Sequence, residues 1–177
     1  MDTWAPDRGV TTTDSVFRVM SPWLEYADGV TISGGEPFDQ PYALRDLLSK
    51  IRGIHSGDIL VYSGYPFETL SRTLKDFEGL IDALIADPFE LGTQQSLALR
   101  GSDNQRLILL TPLGTDRFQN YNRAINRSDR TLDVMFDDTT GQIWFAGIPG
   151  RGDFQRLATL LLNSGHRTTT TEDARNK

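Results

Sequence analysis

A chain of 177 residues with 38% hydrophobic content is long enough for one core that buries about two thirds of the unfolded surface. Its 18 Lys and Arg against 24 Asp and Glu leave a net charge of -6 and exclude a general affinity for nucleic acid. No apolar run approaches the roughly 20 residues of a membrane span, so a soluble cytoplasmic protein is expected. Zero cysteines exclude disulfides and thiolate-bound zinc within these residues.

Apolar runs that read as buried strands alternate with helical patterns, the sequence sign of parallel βα units. Asp14 is placed to cap a first helix holding Val16, Phe17 and Met20, with Pro22 ending or kinking it before Trp23 and Leu24. Residues 29–33 form the first strand candidate. Asp39 then caps a helix with Pro41 in its first turn, whose Leu44, Leu47, Leu48 and Ile51 repeat on one face until Gly53 closes it. Residues 58–63 read as the second strand, and a helix begins at Pro66 and carries Leu70 and Leu74. The run 79–86 reads as the third strand, although Leu80, Ile81, Leu84 and Ile85 also fit a helix period. Further strands are predicted over 106–110, 132–136 and 142–146, and a last helix from Asp153 through Leu157, Leu160 and Leu161 to Gly165. Residues 166–177 hold four successive threonines and little apolar content, so a disordered tail is expected after a single domain over 1–165.

The segment Ser33-Gly34-Gly35-Glu36-Pro37 closes the first strand. Two glycines at a strand end admit a ligand close to the backbone, and Glu36 sets a carboxylate beside it that suits a cationic group such as an amine. The same Gly-Gly also reads simply as a turn.

Residues 29–48 resemble the activase branch of the radical SAM superfamily, which includes the activating proteins of anaerobic ribonucleotide reductase and pyruvate formate-lyase. The likeness continues through Asp58-Ile59-Leu60-Val61-Tyr62-Ser63-Gly64-Tyr65, through Ile81-Asp82 to Asp87-Pro88-Phe89, and into Leu99-Arg100-Gly101-Ser102-Asp103-Asn104-Gln105-Arg106. The resemblance implies a partial (β/α) barrel of mainly parallel strands. It implies a [4Fe-4S] cluster held by three thiolates, with S-adenosylmethionine completing the fourth iron and cleaved reductively to a radical. It implies a large glycyl-radical-type client protein as partner. By the same resemblance Ser33, Gly34, Gly35, Glu36 and Pro37 receive the methionyl amine, while Ser63 and Asp87 contact the methionyl carboxylate or ribose.

In such activators a Thr-Trp pair and a glycine follow the third cluster cysteine, and Thr3-Trp4 and Gly9 resemble that pattern. The CxxxCxxC loop and the first βα element are therefore expected to lie upstream of Met1, with the cluster belonging only to a longer form and the chain itself inactive. The alternative is a degenerate, non-catalytic module that keeps the fold for binding.

Arg100, Asn104 and Arg106 admit two readings, as lining of a cofactor or partner surface and as structural partners of acids and backbone. The Gly-rich run 147–153 reads as a structural strand-to-helix turn or as an anion contact at a helix N-terminus. Tyr62 and Tyr65 read as core or rim aromatics, His55 and His166 as exposed and satisfied, and Asp137-Asp138 as a turn between two strands.

Overall fold

The computed structural model describes residues 10–129, 132–137, 142–147 and 152–165, and for 132–137 and 142–147 it describes the backbone. One compact unit spans Thr3–Ala124, and the chain from Ile125 onward belongs to a second.

The first unit is built on a four-stranded sheet of β1 (Gly29–Ile32), β2 (Asp58–Tyr62), β3 (Ala83–Ala86) and β4 (Arg106–Leu109), in that spatial order. The strands β1, β2 and β3 run parallel, with Val30 opposite Ile59 and Val61 opposite Leu84, and β4 runs antiparallel to β3. The expected α/β class with mainly parallel strands is therefore present, but the sheet is open and does not close into a barrel. Strand direction explains the difference. The connection from β3 to β4 stays at one end of the sheet and contains no crossover helix, so the chain re-enters antiparallel.

The second unit contains β5 (Leu132–Asp137) paired antiparallel with β6 (Gln142–Gly147), followed by α5 (Asp153–Asn163). A connection of four residues is too short for a parallel crossover, so this pair is a two-stranded sheet of its own. Asp138, Gly150 and Arg151, which belong to the predicted turns, lie outside the described residues, as do His166 and the predicted tail.

Both faces of the four-stranded sheet are covered. Strand alternation sends Ile59, Val61, Leu84 and Ala86 to one face, where α1 (Thr13–Leu24) and α2 (Pro41–Arg52) contribute Leu24, Leu44, Leu48 and Ile51. It sends Leu60, Ala83 and Ile85 to the other, against Phe118 of α4 (Pro112–Phe118). This two-sided burial is why β2 and β3 read as continuous apolar runs.

Several local expectations shift. The cap of α1 is Thr12, whose hydroxyl accepts from the Ser15 amide, while Asp14 sits in the first turn and pairs with Lys50 at 2.7 Å. Pro22 lies inside α1, within its last turn. Asp39 caps no helix: it ends a 3-10 helix over Pro37–Asp39, and α2 begins with Pro41 as its first residue. The helix after Pro66 is the short α3 (Phe67–Leu70), continued by a 3-10 helix over Thr73–Phe77. The chain turns after that helix at Gly79, whose φ is 73°, and this turn takes up the front of the predicted third strand, so β3 starts only at Ala83. No helix among the described residues is long and apolar enough to cross a membrane.

At the lower end of the parallel strands Asp82 is 3% exposed and joins four elements. Its carboxylate accepts from the Ile59 amide at 2.8 Å, pairs with Arg52 at the end of α2, and receives the Thr111 hydroxyl that also caps α4. Its carbonyl accepts from the Leu110 amide, and Gly114 packs so closely on that carbonyl that a Cβ would lie 2.0 Å away. His55, expected to be exposed, is 6% exposed, with Nδ1 hydrogen-bonded at 3.1 Å to the carbonyl of Leu24. Removing one partner of a buried pair strands the other, at a cost of roughly 3 kcal/mol. Asp82→Ala is expected to lose about that much in urea unfolding, whereas a loss below about 1 kcal/mol would show the hub to be peripheral.

Candidate functional site

The upper, C-terminal ends of β1, β2 and β3 carry the polar groups that the sequence singles out. Gly34 and Gly35 have φ of 90° and 56°, a left-handed conformation that costs glycine little, and they turn the chain sharply out of β1. A Cβ on Gly34 would meet nothing within 4 Å, so space above the strand end is open. Ser33 and Gly34 are exposed there, Gly35, Glu36 and Pro37 are half-buried, and Phe38 is the apolar anchor at 7% exposure.

Glu36 does not hang free. Its Oε1 accepts from the Phe38 amide at 3.0 Å and from the Ser63 hydroxyl at 2.8 Å, while Oε2 accepts from the Gly64 amide at 2.7 Å. One carboxylate thus caps the 3-10 helix and ties the end of β1 to the end of β2. A carboxylate has about four acceptor positions, so roughly one is left, on Oε2, for a donor from outside. Ser63 is 4% exposed, and besides donating to Glu36 its oxygen accepts from the Tyr65 amide at 3.1 Å. Tyr65 donates its hydroxyl to Asp39 at 2.6 Å, which raises the phenol pKa through that bond and the adjacent negative charge. This Tyr65–Asp39 link is not legible in the sequence, because its partners lie 26 residues apart.

The end of β3 is a second carboxylate position. Asp87 has φ of 84°, a strained value for a non-glycine residue, and its carboxylate faces Arg106. Arg106 Nε and Nη2 donate to Asp87 at 2.6 and 2.7 Å, and Nη1 and Nη2 donate to Glu68 at 2.7 and 2.8 Å. The guanidinium also lies 5.7 Å over the Phe67 ring. These hydrogen bonds hold Asp87 below the usual carboxylate range, lower Glu68 to about 2 and raise Arg106.

The Arg-Gly-Ser-Asp-Asn-Gln-Arg run is an internally bonded loop that roofs this end of the sheet. Arg100 is 3% exposed and donates to the carbonyls of Gln105, Ala98 and Tyr121 and to Asn122, a structural role met by carbonyl and amide oxygens rather than by the acids expected of it. Asn104 donates to the Pro88 carbonyl at 2.7 Å, and Gln105 accepts from the Gly101 and Ser102 amides. Tyr62 donates to the Leu99 carbonyl at 2.7 Å, and burial pushes its pKa up to about 12.

The chain matches, over residues 1–108, the family described as a 4Fe-4S single cluster domain. It belongs to that family. No curated protein and no solved structure matches it. The residues present do not fit the cluster of the 4Fe-4S single cluster domain: the 177 residues contain no cysteine, and among the described residues no group of three His, Asp or Glu could hold a metal ion. What this member of the family presents at its strand ends is a pair of bonded carboxylates beside two positive-φ glycines, of which Gly34 is open.

The Arg106 hydrogen bonds depress the folded pKa of Glu68 from its ordinary 4.5, so its contribution to stability is present above that value and fades as pH falls toward about 2. A carboxyl titration followed by NMR is expected to place Glu68 near 2 in the wild type and back near 4.5 in Arg106→Gln. Equal midpoints in the two proteins would remove Arg106 as the cause.

Proposed function

We propose that these residues form the S-adenosylmethionine-facing part of a radical SAM activase-type domain, whose client is a large glycyl-radical-type protein. The observation that carries this reading is Glu36, a carboxylate fixed at the mouth of a glycine-lined strand end with one acceptor position open. S-adenosylmethionine presents an amine and a sulfonium, both cationic. Around the strand ends Glu36, Asp39, Glu68 and Asp87 stand against Arg106, so the local charge favours such a ligand. Ser33, Gly34, Gly35, Glu36 and Pro37 would hold the methionyl end, and Ser63 would act by orienting Glu36. Asp87 would reach a ribose only by sharing its oxygens with Arg106. The membership of a 4Fe-4S family supports the same reading.

A second reading has its own support. Without cysteine this chain supplies no thiolate, so within these residues a cofactor-binding module without redox chemistry fits equally. The two readings share the ligand site and differ in what the thiolates of another segment would add.

Calorimetric titration of S-adenosylmethionine into the full chain is expected to give one saturable site, weakened at least about tenfold by Glu36→Gln, since a charge-assisted hydrogen bond is worth about 1.5–3 kcal/mol. Binding that Glu36→Gln leaves unchanged, or no binding at all, would remove the reading. Anaerobic incubation of this chain with iron and sulfide is expected to give no cluster absorbance in the visible range, because the ligating thiolates are lacking. A stable cluster on the chain would refute that expectation.

A further inference from the structure

The helix α1 has two apolar stripes, and one of them stands in water. Phe17, Met20 and Leu24 pack into the core. Val16, Val19, Trp23 and Tyr26 are 38%, 73%, 72% and 83% exposed. The spacing of Val16, Val19 and Trp23, three and four residues, sets them on one flank of α1 within about 60° of arc at 100° per residue, and Tyr26, two residues past the end of α1, follows with its amide donating to the Trp23 carbonyl. The charged residues of the segment, Asp14, Arg18 and Glu25, fall on another flank within about 40° of one another. Ser15 and Pro22 separate the two, so the apolar flank carries no charge. Exposed apolar surface of this kind, aligned rather than scattered, marks a contact site.

We propose that this flank is a homodimer interface, in which α1 packs antiparallel on α1 of a second copy of the chain. A two-fold axis through the apolar flank, at the height of residue 21, sets Val19 opposite the second copy's Trp23 and brings Val16 level with its Tyr26. Each small residue then meets a large one, as an isologous interface and dense packing both require. The charge pattern excludes strongly charged partners such as nucleic acid or a basic peptide, and it lets two copies of a chain of net charge -6 meet where neither carries an acid.

The area is sufficient. Trp23 and Tyr26 leave roughly 300 Å² of aromatic surface in water on each copy. The valines and the flanking residues of two copies bring the total to about the 1,000 Å² that a specific interface needs.

Light scattering coupled to size exclusion tests this on the full chain. At tens of micromolar the wild type is expected to show twice its 19.8 kDa, and Trp23→Arg and Val19→Glu the single mass, with far-UV circular dichroism unchanged because both side chains are exposed. Tyr42→Arg, at an aromatic of α2 that is 90% exposed and outside the flank, is expected to keep the doubled mass. A disulfide cannot imitate the dimer, since the chain has no cysteine. A wild type of single mass would overturn the proposal and leave the flank to a different protein, and so would variants at position 23 and position 19 that keep the doubled mass. Neither outcome depends on S-adenosylmethionine.

Discussion

The sheet depends on one buried carboxylate at its lower end. Asp82 binds an amide of β2, the guanidinium at the end of α2 and the hydroxyl that caps α4, so β2, β3, the start of α4 and the end of α2 meet on one side chain. Its backbone extends the same junction, donating to Ile59 and accepting from Leu110. The geometry is tight as well as bonded, because Gly114 presses on the Asp82 carbonyl where no other residue has room. A charge taken out of water is tolerable only when its partners are all in place. Here they are supplied by three separate stretches of chain, which couples the two faces of the sheet to each other.

Carboxylates repeat that role at the upper end with a different balance. Glu36 joins β1 to β2 and Asp87 joins β3 to β4 through Arg106, but neither is as enclosed as Asp82, and Glu68 and Asp39 add charge near them without burial. The lower end is neutralised by Arg52, whereas the upper end keeps a surplus of acid around one arginine. An open sheet of parallel strands places ligands at its C-terminal edge, where the strand ends diverge. Charge surplus, positive-φ glycines and a strained Asp87 all fall at that edge, and this coincidence makes the upper end the candidate site rather than the more perfectly bonded lower one.

Much of this was legible in the sequence. The strands β1, β2 and β4 and the helix α2 fall within two residues of their predicted bounds, because two-sided burial gives β2 an uninterrupted apolar run, short apolar stretches end at Ser33 and Leu110 in β1 and β4, and Leu44, Leu48 and Ile51 keep a strict helical period. The front of β3 was not legible, since Leu80 and Ile81 satisfy both periods and a positive-φ turn at Gly79 decides between them. Caps slipped by one or two residues for a similar reason. Thr12 and Asp14 can each accept from a first-turn amide, and the winner is set by where Asp14 finds Lys50, 36 residues later. His55 could not be placed from Gly57 beside it. What buries it is Leu24 at the end of α1, a contact that exists only after folding.

The run from Arg100 to Arg106 shows how a family resemblance and a structural role can sit on the same residues. Its side chains bond the loop to itself and to the carbonyls of Asp87 and Pro88, which fixes the height of the roof above the strand ends. Arg106 then closes the roof onto Asp87. A residue can be needed for a site without touching its ligand, and this loop has the geometry of such a support. The same distinction applies to Glu36, whose three internal donors orient it before any ligand arrives. That arrangement is built from Phe38, Ser63 and Gly64 alone, without a thiolate. The strand-end carboxylate and the thiolates that a cluster requires are therefore separate features in physical terms, and this chain carries the first without the second.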